Sequence, residues 1–234
     1  MERNSVIDNR KKLIKRYCSN YGFEKESITY DMVIQHWNLE RDLAKKMREY
    51  KGSNRTEFFK DCYQILYASC PWLVSTGVSV NKKDDWRDWW VNITLPKNAN
   101  VLEIGGGAGN CSKKIGEKGF FVTSIDISEQ RIDYAKQEGQ KSNVSFQVGD
   151  AVNLHFPHDT FDAVYSHQMI EHLHPDDILI HFKGVYDTLK KGGFYYFTTP
   201  NGLWGPTDVS RVFGCRKACG MHLMEYSYSE IIEI

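Results

Sequence analysis

The chain has 234 residues, 41% apolar and 26% charged, and its 30 basic and 30 acidic side chains leave no formal net charge. That length holds one α/β domain with an appended region and is too short for two large domains. A zero balance supplies no general field for nucleic acid, and the chain contains no run of about 18 apolar residues of the kind that spans a membrane.

The opening MERNSVIDNRKKL lacks the apolar core of a secretory signal, so a cytoplasmic protein is expected. Six cysteines, at 18, 62, 70, 111, 215 and 219, are read as reduced thiols. Cys215-x3-Cys219-x2-His222 offers ligand types that zinc accepts, but no fourth ligand stands at the usual spacing, and the plainer reading is a loop with two free thiols.

Residues 1–98 read as a helical cap. In DMVIQHWNLERDLAKKM, Val33, Ile34, Trp37, Leu39, Leu43 and Met47 recur mostly at three- and four-residue steps, opposite Glu40, Arg41, Lys45 and Arg48. TEFFKDCYQILYASCPWL repeats the habit, with Asn54 and Glu57 as an expected capping pair and Pro71 as the stop. Trp86, Trp89 and Trp90 form a third apolar cluster before Pro96. Such aromatics are mostly packing, yet some of Trp37, Tyr67, Trp72, Trp86 and Trp89 are expected to face a ligand from above.

Residues 99–234 alternate in type. Strands are expected at 101–104, 120–126, 144–148, 161–166 and 194–199, with helices at 110–118, 129–140 and 175–190, the last carrying Pro175, Asp176 and Asp177 in its first turn. This predicts a doubly wound, mainly parallel sheet with helices on both faces and ligands at the carboxyl ends of its strands.

At the first such end stands Glu103-Ile-Gly105-Gly106-Gly107-Ala108-Gly109, a bare turn that opens a helix and suits an anion. Read as the dinucleotide fingerprint it fails, because Asn110 stands where the last small residue belongs. A nicotinamide-dependent oxidoreductase would also leave Asp150 without a role. Asp126 ends the second strand, 21 residues after Gly105, where a carboxylate can accept from both hydroxyls of a ribose. Gly149-Asp150-Ala151 repeats the placement after the third strand, suited to an adenine amine.

In order, VLEIGGGAGN, SIDIS, GDA, FDAVYSHQMIEHL and GGFYYFTTPN resemble the signature of class I S-adenosylmethionine-dependent methyltransferases, over about residues 98–201. The resemblance implies a Rossmann-like methyltransferase fold and S-adenosylmethionine as cofactor. It assigns the methionine half of the donor to Glu103, Gly105, Gly106, Gly107 and Gly109. The ribose goes to Asp126 with Ile127, the adenine to Asp150 and Ala151, and Ser166 joins the donor site. That family usually ends its sheet with a further helix and two more strands, and SYSEIIEI stops where the helix would begin. The expectation is a shortened polypeptide, the other reading being a partner, such as a second copy, covering the open edge.

After the fourth strand, Ser166-His167-Gln168-Met169-Ile170-Glu171-His172-Leu173-His174 places three histidines and a carboxylate at the active end of the sheet. Glu171 and His172 resemble the E-H pair of ubiquinone-type O-methyltransferases and of small-RNA terminal 2′-O-methyltransferases, where E-x-x-E-H and a later histidine hold a divalent metal. His222 resembles the later histidine, whereas Gln168 replaces the first Glu. Three readings stay open: a divalent metal on Glu171, His172 and His222; a histidine acting as metal-free base; or residues that only orient the loop. His167 is a further candidate for contact with donor or acceptor, and Pro200 and Asn201 for the acceptor pocket. HWNLERDL and CPWL resemble bacterial methyltransferases of surface-saccharide or natural-product pathways. The expected function is methylation, chiefly of oxygen, on a small-molecule or sugar-like acceptor. The alternatives are a noncatalytic donor-binding module and an RNA 2′-O-methyltransferase, against which the neutral charge and absence of a basic patch weigh.

Overall fold

The computed structural model describes residues 2–76, 94–139 and 141–234. Three helices come first: α1 (Glu2–Tyr21), α2 (Tyr30–Glu49) and α3 (Arg55–Ser69). The Thr29 hydroxyl accepts from the Met32 N–H and starts α2, while Asp31 in the first turn and Lys46 and Arg48 in the last complement the helix dipole. The expected polar face of α2 is not wholly wet. Glu40 is only 5% exposed, because it packs against His36 one turn earlier and receives the Met221 N–H from the far end of the chain.

Asn54 does occupy the N-cap of α3 but makes no side-chain cap bond. The start of the helix is instead held by Arg55, whose guanidinium contacts Asp177 and Asp176. Pro71 stops α3 as expected and opens a single 3-10 turn, Pro71–Leu73. Among the described residues no helix is long and apolar enough to cross a membrane.

The rest is β1 (Asn100–Ile104), α4 (Asn110–Glu117), β2 (Phe121–Asp126), α5 (Glu129–Gln137), β3 (Val144–Val148), β4 (Phe161–His167), α6 (Ile178–Thr188), β5 (Leu189–Thr198) and α7 (Tyr228–Glu233). The strands form one parallel sheet in the order β3-β2-β1-β4-β5. From β1 the chain builds outward one way, then returns to place β4 on the other side. The switch in direction lies between β1 and β4, which opens a crevice beyond their carboxyl ends.

Burial on both faces of β1 explains its apolar Val101, Leu102 and Ile104, with Glu103 as the one buried polar side chain among them. One face carries Val101, Ile115, Val122, Ile132, Phe146 and Tyr165; the other carries Leu102, Ile104, Ile125, Val164, Ile170 and Val185. The helical cap has its own core, closed by residues from the opposite end of the chain: Met221 and Leu223 pack with Leu43, Met47 and Leu66, and Val209 and Val212 pack with Tyr17 and Val33.

Several boundaries differ from the sequence reading, and the helix expected from Pro175 begins at Ile178, after a 3-10 turn at Pro175–Asp177. The helix expected to reach Lys190 ends at Thr188, and β5 begins at Leu189 rather than Phe194. Lys190 pairs with Asp162 of β4 at 2.9 Å, and a register shift between Phe161 and Ala163 absorbs the Lys-Lys-Gly-Gly stretch, so these residues join the sheet. The other helix, α5, ends at Gln137.

Gly109 is the N-cap of α4, at φ 77° and ψ 14°, and a Cβ there would stand 2.6 Å from the Phe146 ring. Gly109→Ala is expected to lower stability by about 1–3 kcal/mol through backbone strain and overpacking. A thermal melt checks this; an unchanged midpoint would contradict the packing described.

Candidate functional site

Three carboxylates mark the ends of the first three strands. Glu103 is 3% exposed and lies beneath the glycine turn, accepting from the Ser112 hydroxyl of α4 and, at 3.2 Å, from the Ser124 hydroxyl of β2. Asp126 accepts from the N–H groups of Gly107 and Ser128, both at 2.9 Å, so it too shapes the turn. Asp150 accepts from the Val152 N–H at 2.8 Å and, at 2.7 Å each, from the Thr56 hydroxyl of α3 and the Asn153 amide.

A cavity of about 180 Å³ opens between these strand ends and α3. Of the residues assigned to the donor, Gly105, Asp126, Ile127, Asp150 and Ala151 line it. Glu103, Gly106, Gly107, Gly109 and Ser166 do not. Ser166 is fully buried, its hydroxyl 2.6 Å from the Tyr195 hydroxyl. Tyr195 lies 3.0 Å from His181 Nε2, and His181 Nδ1 donates to the Ala151 carbonyl at 2.7 Å. Ser166 therefore belongs to a chain of polar groups that fixes the Ala151 loop from below. Burial pushes His181 down to about 4, so this ring is neutral at physiological pH.

The roof is α3. Thr56, Phe59, Tyr63 and Tyr67 face the cavity, spaced three or four residues apart on one side of the helix. Of the aromatics expected to face a ligand, Tyr67 does. Trp37 stacks on Phe213 with centroids 4.4 Å apart, and the Trp72 indole N–H donates to the Tyr17 hydroxyl at 3.0 Å, so both are packing. Trp86, Trp89 and Trp90 lie outside the described residues.

Glu171, His172 and His222 come together: a ligand atom from each lies within 4.8 Å of the others. Glu171 is fully buried; its Oε2 accepts from the Thr199 hydroxyl at 3.0 Å, and its Oε1 has no hydrogen-bond partner and faces His222 Nε2 at 4.0 Å. The two imidazoles meet edge to face with centroids 4.7 Å apart. His172 Nδ1 donates to the Met221 carbonyl at 3.0 Å and lies 3.1 Å from the Tyr63 hydroxyl, while His222 Nδ1 donates to Glu225 at 2.6 Å. Each ring thus has Nδ1 committed and Nε2 left over.

Burial pushes the Glu171 carboxyl up to about 7, against the pull of His222. Burial also drives His172 down to about 3, and the neighbouring His222 charge adds to it. For His222 burial works downward too, but the Glu225 hydrogen bond and the Glu171 charge outweigh it and hold the ring above its ordinary value. An orphaned buried carboxylate oxygen facing His222 Nε2, with a His172 ring nitrogen within reach and each ring oriented by an acceptor on Nδ1, is a donor set that a divalent cation takes. The residues present fit such an ion. His222 joins this cluster, and Cys215 and Cys219 form no disulfide. His167 Nδ1 lies 2.6 Å from the Thr198 hydroxyl and His167 does not line the cavity, and the Asn201 side chain caps the turn that follows it by accepting from the Leu203 N–H at 3.0 Å.

The segment bearing His222 is fixed from α2. Glu40 receives the Met221 N–H at 2.8 Å, Asp208 receives the Gly220 N–H at 2.8 Å, and Arg48 donates to the carbonyls of Gly220 and His222 at 2.9 Å each. Glu40, Arg48, Asp208, Tyr63 and Thr56 are the site residues that sequence reasoning missed. The i,i+4 spacing of His36 and Glu40 was the one signal available for any of them.

Residues 101–193 match the family described as methyltransferase domain. The chain is 34% identical to the ubiquinone biosynthesis O-methyltransferase of Coxiella burnetii over 111 residues, 47% of this chain and 46% of that protein. It is 31% identical to the sterol 24-C-methyltransferase ERG6B of Gibberella zeae over 175 residues, 70% of this chain and 40% of that protein. Among solved structures it is similar in fold to the YcgJ protein of Bacillus subtilis, at 23% identity and a TM-score of 0.50, covering 62% of this chain and 63% of that one. The chain spans less than half the length of these curated relatives.

Glu40 supplies a stability test. Burial pushes its carboxyl up, but the adjacent His36 outweighs burial and holds it below the ordinary carboxylate value. A carboxyl depressed in the folded state contributes stability above its unfolded pKa, and that contribution is lost as pH falls through the folded value. Glu40→Ala is expected to cost about 3–5 kcal/mol at neutral pH by stranding His36 and the Met221 N–H, and to narrow the gap to the parent chain in acid. Denaturant melts from pH 7 down to about 4 measure both; equal stability at neutral pH would refute the anchor.

Proposed function

We propose that this chain, which carries a class I S-adenosylmethionine-dependent methyltransferase domain, transfers a methyl group to an oxygen of a small-molecule or sugar-like acceptor. The observation that carries the reading is the convergence of Gly105, Asp126, Asp150 and Ala151 on one cavity whose wall includes His172. Asp126 accepts from the ribose hydroxyls, and Asp150 with Ala151 receives the adenine. The bare turn at Gly105 admits the amino acid tail. The relatives named above act on oxygen and on carbon, so their names do not choose the acceptor atom; the Glu171, His172 and His222 cluster favours a hydroxyl, which needs help in losing its proton.

In the transfer the sulfur–methyl bond breaks, the sulfur keeps the electron pair as a neutral thioether, and the oxygen–methyl bond forms. The sulfonium methyl is already activated, so alignment and removal of water supply much of the rate. Tyr63 and Phe59 shield the cavity from above. His172, neutral and with Nε2 free, is placed at the wall to accept a hydrogen bond from the acceptor hydroxyl or to serve as a ligand. Glu171, His172 and His222 would hold a divalent cation, which when bound lowers the pKa of a coordinated hydroxyl. Glu225 keeps the His222 ring oriented in either case.

Calorimetry with S-adenosylhomocysteine is the direct test of the donor site, and Asp126→Ala is expected to weaken binding by roughly 10- to 100-fold, the worth of its hydrogen bonds to the ribose. No heat with the folded parent chain would overturn the proposal. For the cluster, Mn²⁺ titration followed by paramagnetic resonance should show a site lost in His222→Ala. Transfer to an alcohol panel that stays at full rate in excess chelator would rule out an essential metal.

A further inference from the structure

One cation on the cavity wall has no assigned role. Arg131, in the first turn of α5, reaches back across the glycine turn, close enough that a Cβ on Gly107 would stand 2.4 Å from its Nη2. Gly107 itself is at φ 55°, so the turn is bare at this point for two reasons: the backbone conformation and the guanidinium lying against it.

The partners of Arg131 are neutral. Nη1 donates to the Tyr67 hydroxyl at 3.1 Å and Nη2 to the Thr76 carbonyl at 3.0 Å. Nε is shut off from solvent and has no partner. Asp126 is the nearby carboxylate, but its hydrogen bonds come from the Gly107 and Ser128 amides, and among the described residues Arg131 makes no ion pair within 4.0 Å. A guanidinium has five N–H groups in a fixed fork that matches a carboxylate, and leaving such groups dry and unbonded is costly.

We infer that Arg131 is the anchor for the carboxylate of the donor's amino acid tail, held in place by Tyr67 and Thr76 and aimed over the glycine turn. This rests on the proposed donor site and adds the residue that fixes its charged end. The α-carboxylate is the only anionic group that S-adenosylmethionine carries, and the turn at Gly105 to Gly107 is the part of the site assigned to that end. Nε and the unspent Nη N–H groups can take it side by side. The Tyr67 hydroxyl, by accepting from Nη1, couples the roof helix α3 to the same guanidinium, so Arg131 also positions the roof over the donor.

The test compares two probes that share adenosine and sulfur: S-adenosylhomocysteine, which has the amino acid tail, and 5′-methylthioadenosine, which lacks it. Calorimetry on the parent chain, Arg131→Met, Arg131→Lys and Tyr67→Phe gives the affinities, with a thermal melt of each variant as a fold control. Arg131→Met is expected to weaken S-adenosylhomocysteine by at least about 30-fold, the worth of a charge-assisted pair, and 5′-methylthioadenosine by less than about 3-fold; Arg131→Lys should fall between. Tyr67→Phe, which keeps the packing, should show the same selectivity at smaller size and carries the test if Arg131→Met fails to fold. Equal losses for both probes, or no loss for either, would overturn the anchor. Failure of the parent chain to bind either probe would instead overturn the donor site itself.

Discussion

A single buried carboxylate anchors the glycine turn. Glu103 draws in one hydroxyl from β2 and one from α4, so strand, turn and helix are tied by one charge that water does not reach. With that charge satisfied from below, the backbone above can run bare through Gly105 to Gly109. Asp126 repeats the device one strand over, taking the Gly107 N–H. The order of the sheet then places the third carboxylate, Asp150, on the same side, and a cavity results where separate strand ends would otherwise face solvent.

The helical cap is more than a cover. Its roof contacts Asp150 through Thr56, His172 through Tyr63 and Arg131 through Tyr67. Its middle helix grips the segment carrying His222 through Glu40 and Arg48. The helix over the cavity, α3, and the helix that holds the His222 segment, α2, pack together, so the cavity and the Glu171 cluster are set against each other by helix packing and not by the sheet alone. The cluster itself sets a buried carboxylate with one oxygen unsatisfied beside a histidine that burial keeps neutral and another that Glu225 and Glu171 hold above its ordinary pKa.

Much of this is legible in the residues themselves. The alternation after residue 99 announces the parallel sheet because buried central strands are mostly apolar: β1 buries Val101, Leu102 and Ile104, and β4 buries Phe161, Ala163, Val164 and Tyr165. Glycines at 105, 107 and 109 stand at positive φ, where other residues would be strained. Local patterns are less reliable where a distant partner decides. Lys190 extends the helical pattern of α6 but is captured by Asp162 of β4, and Asn54 sits where a cap belongs while Arg55 does the holding through Asp177.

Neighbours in the chain therefore settle the sheet, its glycine turn and the carboxylates at successive strand ends, since each depends on residues within one strand and the loop after it. Folding alone settles that Glu40 is buried, that His222 meets Glu171 and His172, and that Arg131 lies across Gly107. Those outcomes depend on groups far apart in the chain sharing one desolvated space. Periodicity records which side of a helix is dry, but not which distant charge will be there to meet it.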